Sequence, residues 1–268
     1  MMNFLSEDDI ALSREYTESG YLIRNVADIG AYNRISEAVS STAAQILDLA
    51  NTFDPNVLLD SIHNYVNPKD LNAFRLEIIN ALKQNQNIRN DYYQVAKPFL
   101  EALVGNELAM QRQLNLSIQL PADDSSLLAL HADTWSGDSA YEVVVWLPLV
   151  DCFATKAMYI LPPDHAREFE LKSKTDLVTS DVNSESLFEL IKDKVKWLQI
   201  NRGQVLIFDQ TLPHGNRVNE EIETRWSLNC RFKSIFTPYG DKKIGEFFQP
   251  ITLRAASRRG MDYSLPEI

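Results

Sequence analysis

The chain has 268 residues, 45% of them hydrophobic, enough for one large domain or two small ones with a sizeable core. Lysine and arginine number 26 against 37 aspartates and glutamates, and the net charge of −11 argues against an electrostatic grip on nucleic acid or on an anionic membrane, although a local basic patch could still hold a phosphorylated small molecule. Cys152 and Cys230 stand far apart in apolar surroundings, there is no apolar run of about 18 residues, and the first ten residues are acidic where a signal peptide would be basic; the expectation is a cytoplasmic protein without disulfides or membrane span.

The first third reads as helical. Ser6 with the acidic Glu7, Asp8 and Asp9 starts a helix that Gly20 stops, and Tyr21 to Asn25 is a short strand. Over residues 28–53 the apolar positions Ile29, Tyr32, Ile35, Val39, Ala43 and Ile46 recur every three to four residues, which predicts one helix with a buried face. A loop with a short helical piece follows over 54–70, then helices over 69–84 and 91–104, the last closed by Gly105.

After Gly105 the period changes to that of strands. Leu114, Leu116, Ile118 and Leu120 alternate with Asn115, Ser117 and Gln119; with the apolar face on the helices, Gln113, Asn115 and Ser117 point inward, where amides can hold ligand oxygens. Further strands are expected at 128–133, 141–150, 156–161, 204–209 and 224–235, with 166–200 an insertion carrying a helix near 184–196. Helices first and antiparallel strands later predict an α+β protein. The arrangement that fits is one domain over 1–268: a helical part at 1–105 packed outside a jelly-roll core at 106–240, and a C-terminal extension at 241–268.

The chemistry concentrates at two places. His131 and Asp133 are two residues apart, so in an extended chain both side chains reach one point. His214 stands between Pro213 and Gly215 at the end of an apolar strand, and two His with one carboxylate on one face of an ion form the site of a non-haem iron centre. Arg225 follows His214 by 11 residues, with Ser227 on the same strand face, a guanidinium and hydroxyl suited to a carboxylate. Thr134, Trp135 and Asp138 lie beside the metal ligands and Trp146 on a central strand, which makes them the candidate substrate contacts. Asp138 and Glu142 are alternative metal carboxylates that read as loop or solvent-facing charges. Asp209 is placed to order the His214 loop, Asn229 shares the face of Arg225, and Arg231 reads either as a surface ion pair or as the next anion anchor; His63 and His165 remain as pocket candidates.

The pattern H-x-D, a distant H, then R-x-S resembles the 2-oxoglutarate-dependent Fe(II) dioxygenases. Within them the chain is most similar to the phytanoyl-CoA dioxygenase-like branch and its members from carbohydrate and aminoglycoside biosynthesis clusters, over roughly residues 17–236. Residues 146–165 resemble that branch's strand-turn-strand, with Pro-Pro-Asp-His where the branch carries a Pro-Gly-Ser-His-like element. The resemblance implies a double-stranded β-helix. It also implies Fe(II) held by His131, Asp133 and His214, and 2-oxoglutarate with its distal carboxylate on Arg225 and Ser227, the amides of Asn115 and Gln113 being further cosubstrate contacts. The implied reaction is hydroxylation of a C–H bond; Asp133 argues against halogenation, which needs the carboxylate position vacated for halide. The expected partner is a small soluble metabolite, first a sugar- or aminocyclitol-related one and second a coenzyme A thioester. A cupin-like metal enzyme would need a denser H-x-H and Glu cluster, and a non-catalytic jelly-roll binding protein would bind no metal.

Overall fold

A computed structural model describes residues 4–49, 54–176 and 184–264. Ser6 caps α1 (Glu7–Ser19) by accepting the Asp9 N–H at 3.1 Å, and the three acidic residues of the first turn sit at the positive end of the helix. Gly20 closes it in the left-handed region at φ 78°, a conformation that costs any residue with a Cβ, and β1 (Tyr21–Asn25) follows. The helix expected over 28–53 is shorter. Asp28 caps α2 (Ile29–Ile46), which buries Tyr32, Ile35, Val39 and Ala43 and ends before Leu47; residues 50–53 lie outside the described ones. After α3 (Pro55–Asp60), α4 (Leu71–Gln84) buries Leu71, Phe74, Ile78 and Leu82 at helical spacing.

The single helix expected over 91–104 is two, α5 (Ile88–Gln94) and α6 (Lys97–Leu103). Pro98 explains the break: it has no N–H to offer the Gln94 carbonyl and its ring would collide with it, so the chain turns at Val95 and Ala96.

The strand expected over 111–119 is likewise interrupted, β2 (Leu108–Gln111) ending where it should begin and β3 (Asn115–Gln119) starting later, with Arg112 to Leu114 bending between them. No strand forms at 128–133, which contributes only a bridge from His131 to His214 and then a 3-10 turn, Asp133–Ser136. β4 (Glu142–Pro148) is buried along its whole length. The strand expected at 156–161 shrinks to β5 (Tyr159–Ile160), and α7 (Pro163–Asp176) opens the insertion; this helix was not anticipated because its sequence is polar and carries little apolar period. Then come α8 (Ser184–Ile191), shorter than the helix expected at 184–196, β6 (Lys196–Trp197), β7 (Gln204–Asp209), β8 (His214–Gly215) and β9 (Arg225–Ser234). The C-terminal extension is built in, with β10 (Phe248–Pro250) pairing β2 and α9 (Ala255–Met261) after it.

The larger sheet runs β1-β7-β4-β9-β2-β10, with β3 also paired to β9, and the smaller runs β6-β5-β8; all these ladders are antiparallel. β9 sorts the molecule into two sides, because alternate side chains of a strand face opposite ways. Trp226, Leu228, Cys230 and Phe232 are fully buried. The Trp226 indole donates to the Leu59 carbonyl at 2.8 Å and meets Phe74 of α4 edge-on, while the Tyr92 hydroxyl of α5 reaches the Val145 and Leu228 carbonyls at 2.8 and 3.0 Å. These contacts fasten the helices to one face of the sheet, and helices and strands share one apolar cluster. The alternate residues Arg225, Asn229 and Arg231 line a cavity on the other face. No helix among the described residues is long and apolar enough to cross a membrane.

Candidate metal centre

His131 and His214 come from segments more than eighty residues apart in sequence, joined by a pair of reciprocal backbone hydrogen bonds, His131 N–H to His214 O at 3.0 Å and the reverse at 2.8 Å. Asn216 reinforces this join: its side-chain oxygen accepts the Leu128 N–H at 2.5 Å and its own N–H donates to the Leu128 carbonyl at 3.0 Å. Gly215 between them has no alternative, since a Cβ there would lie 2.8 Å from that same Leu128 carbonyl oxygen. Ala132 is extended, so His131 and Asp133 share a side, and the Asp133 N–H is held by the Gln210 carbonyl at 3.0 Å. Asp209 shapes the turn before His214 by accepting the Thr211 N–H at 2.8 Å, the ordering role expected of it.

The donor atoms of His131, Asp133 and His214 all lie within 4.8 Å of one another. Each imidazole places Nδ1 against a backbone carbonyl two residues upstream, at 2.8 Å for His131 and 2.9 Å for His214. A carbonyl can only accept, so both Nδ1 atoms carry the proton and both Nε2 lone pairs are available. Burial pulls His214 down to about 4, keeping it neutral and ready to ligate at physiological pH. For Asp133 burial opposes the charge, but the adjoining His131 ring and the Arg231 cation outweigh it and hold the carboxyl well below its ordinary range. Two imidazoles and one ionised carboxylate around one point fit a divalent transition metal.

The three donors line a cavity of about 320 Å³. At one end stands Arg225, 4% exposed, with Nη2 donating to Ser117 Oγ at 3.2 Å and a buried Nε that has no partner. No carboxylate pairs with it among the described residues, and burial draws its guanidinium down to about 10. Ser227, two residues along the same face and 1% exposed, has a hydroxyl without a partner as well. At the other end Arg231 donates Nη2 to Asp133 Oδ2 at 2.8 Å and lies 3.3 Å from Asp138, which also binds Lys242.

The structure redistributes several expected contacts. Asn115, Asp138 and Trp146 line the cavity with Arg225, Asn229 and the three candidate ligands. Gln113 does not; with the strand broken at Arg112 to Leu114 the alternation loses its phase, and Gln113 faces a different hollow. Thr134 and Trp135 also lie outside the lining: the 3-10 turn carries Trp135 outward, 49% exposed and stacked on Phe169 of α7. Asp138 and Glu142 are buried, not solvent-facing, each tied to neighbours. His63 contacts Thr224 at 3.0 Å away from the cavity, and His165 is exposed on α7, where Pro162-Pro163 begins a helix. Arg231, which the sequence offers as a surface ion pair or a spare anchor, is half-buried against a candidate ligand, and its position on the face of Arg225 is the signal. Gln210, Lys242, Asn216 and Ser136 carried no signal, because turns bring them in.

No protein-family model matches the chain, and no curated protein matches it in sequence. Solved structures do share its fold. A non-heme monooxygenase, ThoJ in complex with nickel, matches with a TM-score of 0.57 at 11% identity, over 92% of this chain and 85% of that one. EctD from S. alaskensis, solved with 2-oxoglutarate and 5-hydroxyectoine, gives 0.54 at 16% identity over 89% and 80%. HygX from Streptomyces hygroscopicus, with nickel and 2-oxoglutarate bound, gives 0.50 at 13% identity over 90% of each chain. The likeness is one of fold: helices and antiparallel sheets arranged as in non-haem oxygenases.

Proposed function

We propose that the protein is an Fe(II)- and 2-oxoglutarate-dependent oxygenase, a single double-stranded β-helix domain of the phytanoyl-CoA dioxygenase-like branch. The observation that carries this reading is Arg225: a buried cation that lines the same cavity as the His131, Asp133 and His214 cluster and has no counter-ion among the described residues, with the Ser227 hydroxyl beside it likewise without a partner there. A buried charge left unpaired is costly, so a fold that keeps one is adapted to receive its partner from outside. A dicarboxylate reaching from the metal to Arg225 supplies that partner. A cupin-like enzyme that does not use 2-oxoglutarate gives Arg225 no such purpose.

His131, Asp133 and His214 would hold the iron, Arg225 and Ser227 the distal carboxylate of 2-oxoglutarate, and Asn115 a neighbouring oxygen. When bound, iron supplies the redox chemistry that couples decarboxylation of 2-oxoglutarate to oxidation of a substrate C–H bond. The chain's own contribution is orientation. The two Nδ1 to carbonyl bonds fix both imidazoles, Arg231 fixes the Asp133 carboxylate by occupying Oδ2, and Val144, Met158 and Phe208 give the cavity apolar walls. With Asp138 already held by Arg231 and Lys242, and the Asn216 amide by Leu128, Gln119 and Ser126, the uncharged groups Asn229 and Ser136 are the lining donors and acceptors left for a substrate. They suit a hydroxyl-bearing, uncharged metabolite, which keeps a sugar- or cyclitol-like molecule as the first candidate and hydroxylation as the outcome.

The test is to load purified protein with Fe(II) and screen metabolite pools for succinate release from 2-oxoglutarate. One iron per chain and substrate-stimulated succinate, both lost in His214→Ala, are expected. Iron binding without any 2-oxoglutarate turnover across broad pools would count against the reading.

A further inference from the structure

Gln113, expected at the metal cavity, leads instead to a second hollow of about 190 Å³ between α4, the start of α5 and the Arg112 to Leu114 bend. The two cavities share no lining residue. Lys83, Arg89 and Arg112 line this one and no carboxylate does, in a chain whose net charge is −11. Like charges gathered without acidic partners repel one another, and this surface had an excess of carboxylates to draw on.

The donors are also underused. Arg89 is half-buried and held at its tip, Nη1 on the Gln249 side-chain oxygen at 2.7 Å and Nη2 on the Gln111 carbonyl at 3.3 Å, while its buried Nε has no partner. Burial and the nearby Arg112 both lower its pKa, and no carboxylate offsets them. Lys83 and the Gln86 and Gln113 amides make no side-chain hydrogen bond or ion pair among the described residues. Beside them Ile79, Leu82, Ile88 and Leu114 give the hollow an apolar wall.

We propose that this hollow is a second ligand site, separate from the metal centre, that binds a small anion bearing an apolar group, of the class of aryl or short alkyl phosphates and carboxylates. Lys83, Arg89 and Arg112 take the anion, the spare amides its remaining oxygens, and the α4 and α5 side chains the ring or chain. Arg89 is fixed by two neutral acceptors, so it is oriented without being neutralised, the condition for charge-assisted hydrogen bonding to an incoming oxyanion.

The experiment is calorimetric titration of the full chain with phenyl phosphate, benzoate, inorganic phosphate and phenol. The expected result is one saturable site for phenyl phosphate, weaker binding of inorganic phosphate, none of phenol, and an affinity that falls with added salt. Arg89→Gln is expected to weaken phenyl phosphate at least about tenfold. Because Arg89 also ties β2 to β10 and Arg112 holds the Gly245 carbonyl, the exposed Lys83→Gln provides a variant that breaks no such contact among the described residues; it and Arg112→Gln should each weaken binding about threefold to tenfold. Arg225→Leu should leave this binding unchanged. No saturable binding, binding indifferent to all three hollow variants, or binding lost only in Arg225→Leu would overturn the proposal, the last by placing the anion in the metal cavity. Benzoate matching phenyl phosphate would assign the site to carboxylates; much weaker benzoate would assign it to phosphates.

Discussion

Arg225 and Arg231 stand six residues apart on the same face of one strand, and their surroundings are opposite. Arg231 is engaged on every side, by Asp133, Asp138 and the Gln210 side-chain oxygen at 3.1 Å. Arg225 is the more deeply buried of the two and has one hydroxyl partner, Ser117. A guanidinium with its carboxylates in place is part of the scaffold; a guanidinium buried without one is a receptor. In the proposed function the strand thus serves the cavity twice, clamping a candidate metal ligand at one end and offering an unpaired charge to a ligand at the other.

The largest effects should come from the ligands that both arginines serve. Alanine at His131, Asp133 or His214 removes one of three metal donors, and no activity together with loss of stoichiometric Fe(II) or Co(II) binding is expected, with the circular dichroism of the fold retained. Arg225→Leu should weaken 2-oxoglutarate by roughly 3–4 kcal/mol, about 10²- to 10³-fold, while metal affinity changes little. Arg231→Met should do the reverse, lowering metal affinity about 10- to 100-fold by freeing Asp133, with partial recovery in Arg231→Lys, which restores charge but not the fork. If Arg231→Met instead impaired 2-oxoglutarate and spared the metal, the two ends of the strand would have to exchange roles. Ser227→Ala removes one hydrogen bond to a charged group, worth about 1.5 kcal/mol or roughly tenfold in 2-oxoglutarate affinity.

The smallest effect sharpens the contrast most. Among the described residues Cys152 is the titratable group whose charge would support Arg225, and burial pushes its thiol up to about 12, so at neutral pH it is uncharged and no counter-ion. Cys152→Ala should change 2-oxoglutarate affinity less than about twofold, and neither cysteine should react with a thiol reagent at pH 7–8 until the protein unfolds.

The candidate ligands were legible in sequence because their logic is local: an extended Ala132 sets His131 beside Asp133, and one strand alternation sets Ser227 beside Arg225. The same alternation misled at Gln113, where three residues of bend between β2 and β3 shift the phase without any glycine or proline to announce it. Trp135 misled for a related reason, as a 3-10 turn aims its side chains differently from a strand. The split at Pro98 follows from covalent geometry and was there to be read. The clamp on Asp133 was not, since Arg231 reaches it only after the strand has crossed the sheet, and two-residue strands such as β5, β6 and β8 are too short to carry a period.

The most direct measurement is an anaerobic titration of 2-oxoglutarate into Fe(II)-loaded wild-type protein and Arg225→Leu, followed by the visible charge-transfer absorption that chelation of iron by a 2-oxo acid produces. The expected result is a band that saturates in the wild type and reaches the same amplitude in the variant only at about 100-fold higher 2-oxoglutarate. Iron-loaded wild type showing no band, or half-saturation at the same concentration in both proteins, would contradict the assignment of Arg225 as the receptor for the cosubstrate's charge.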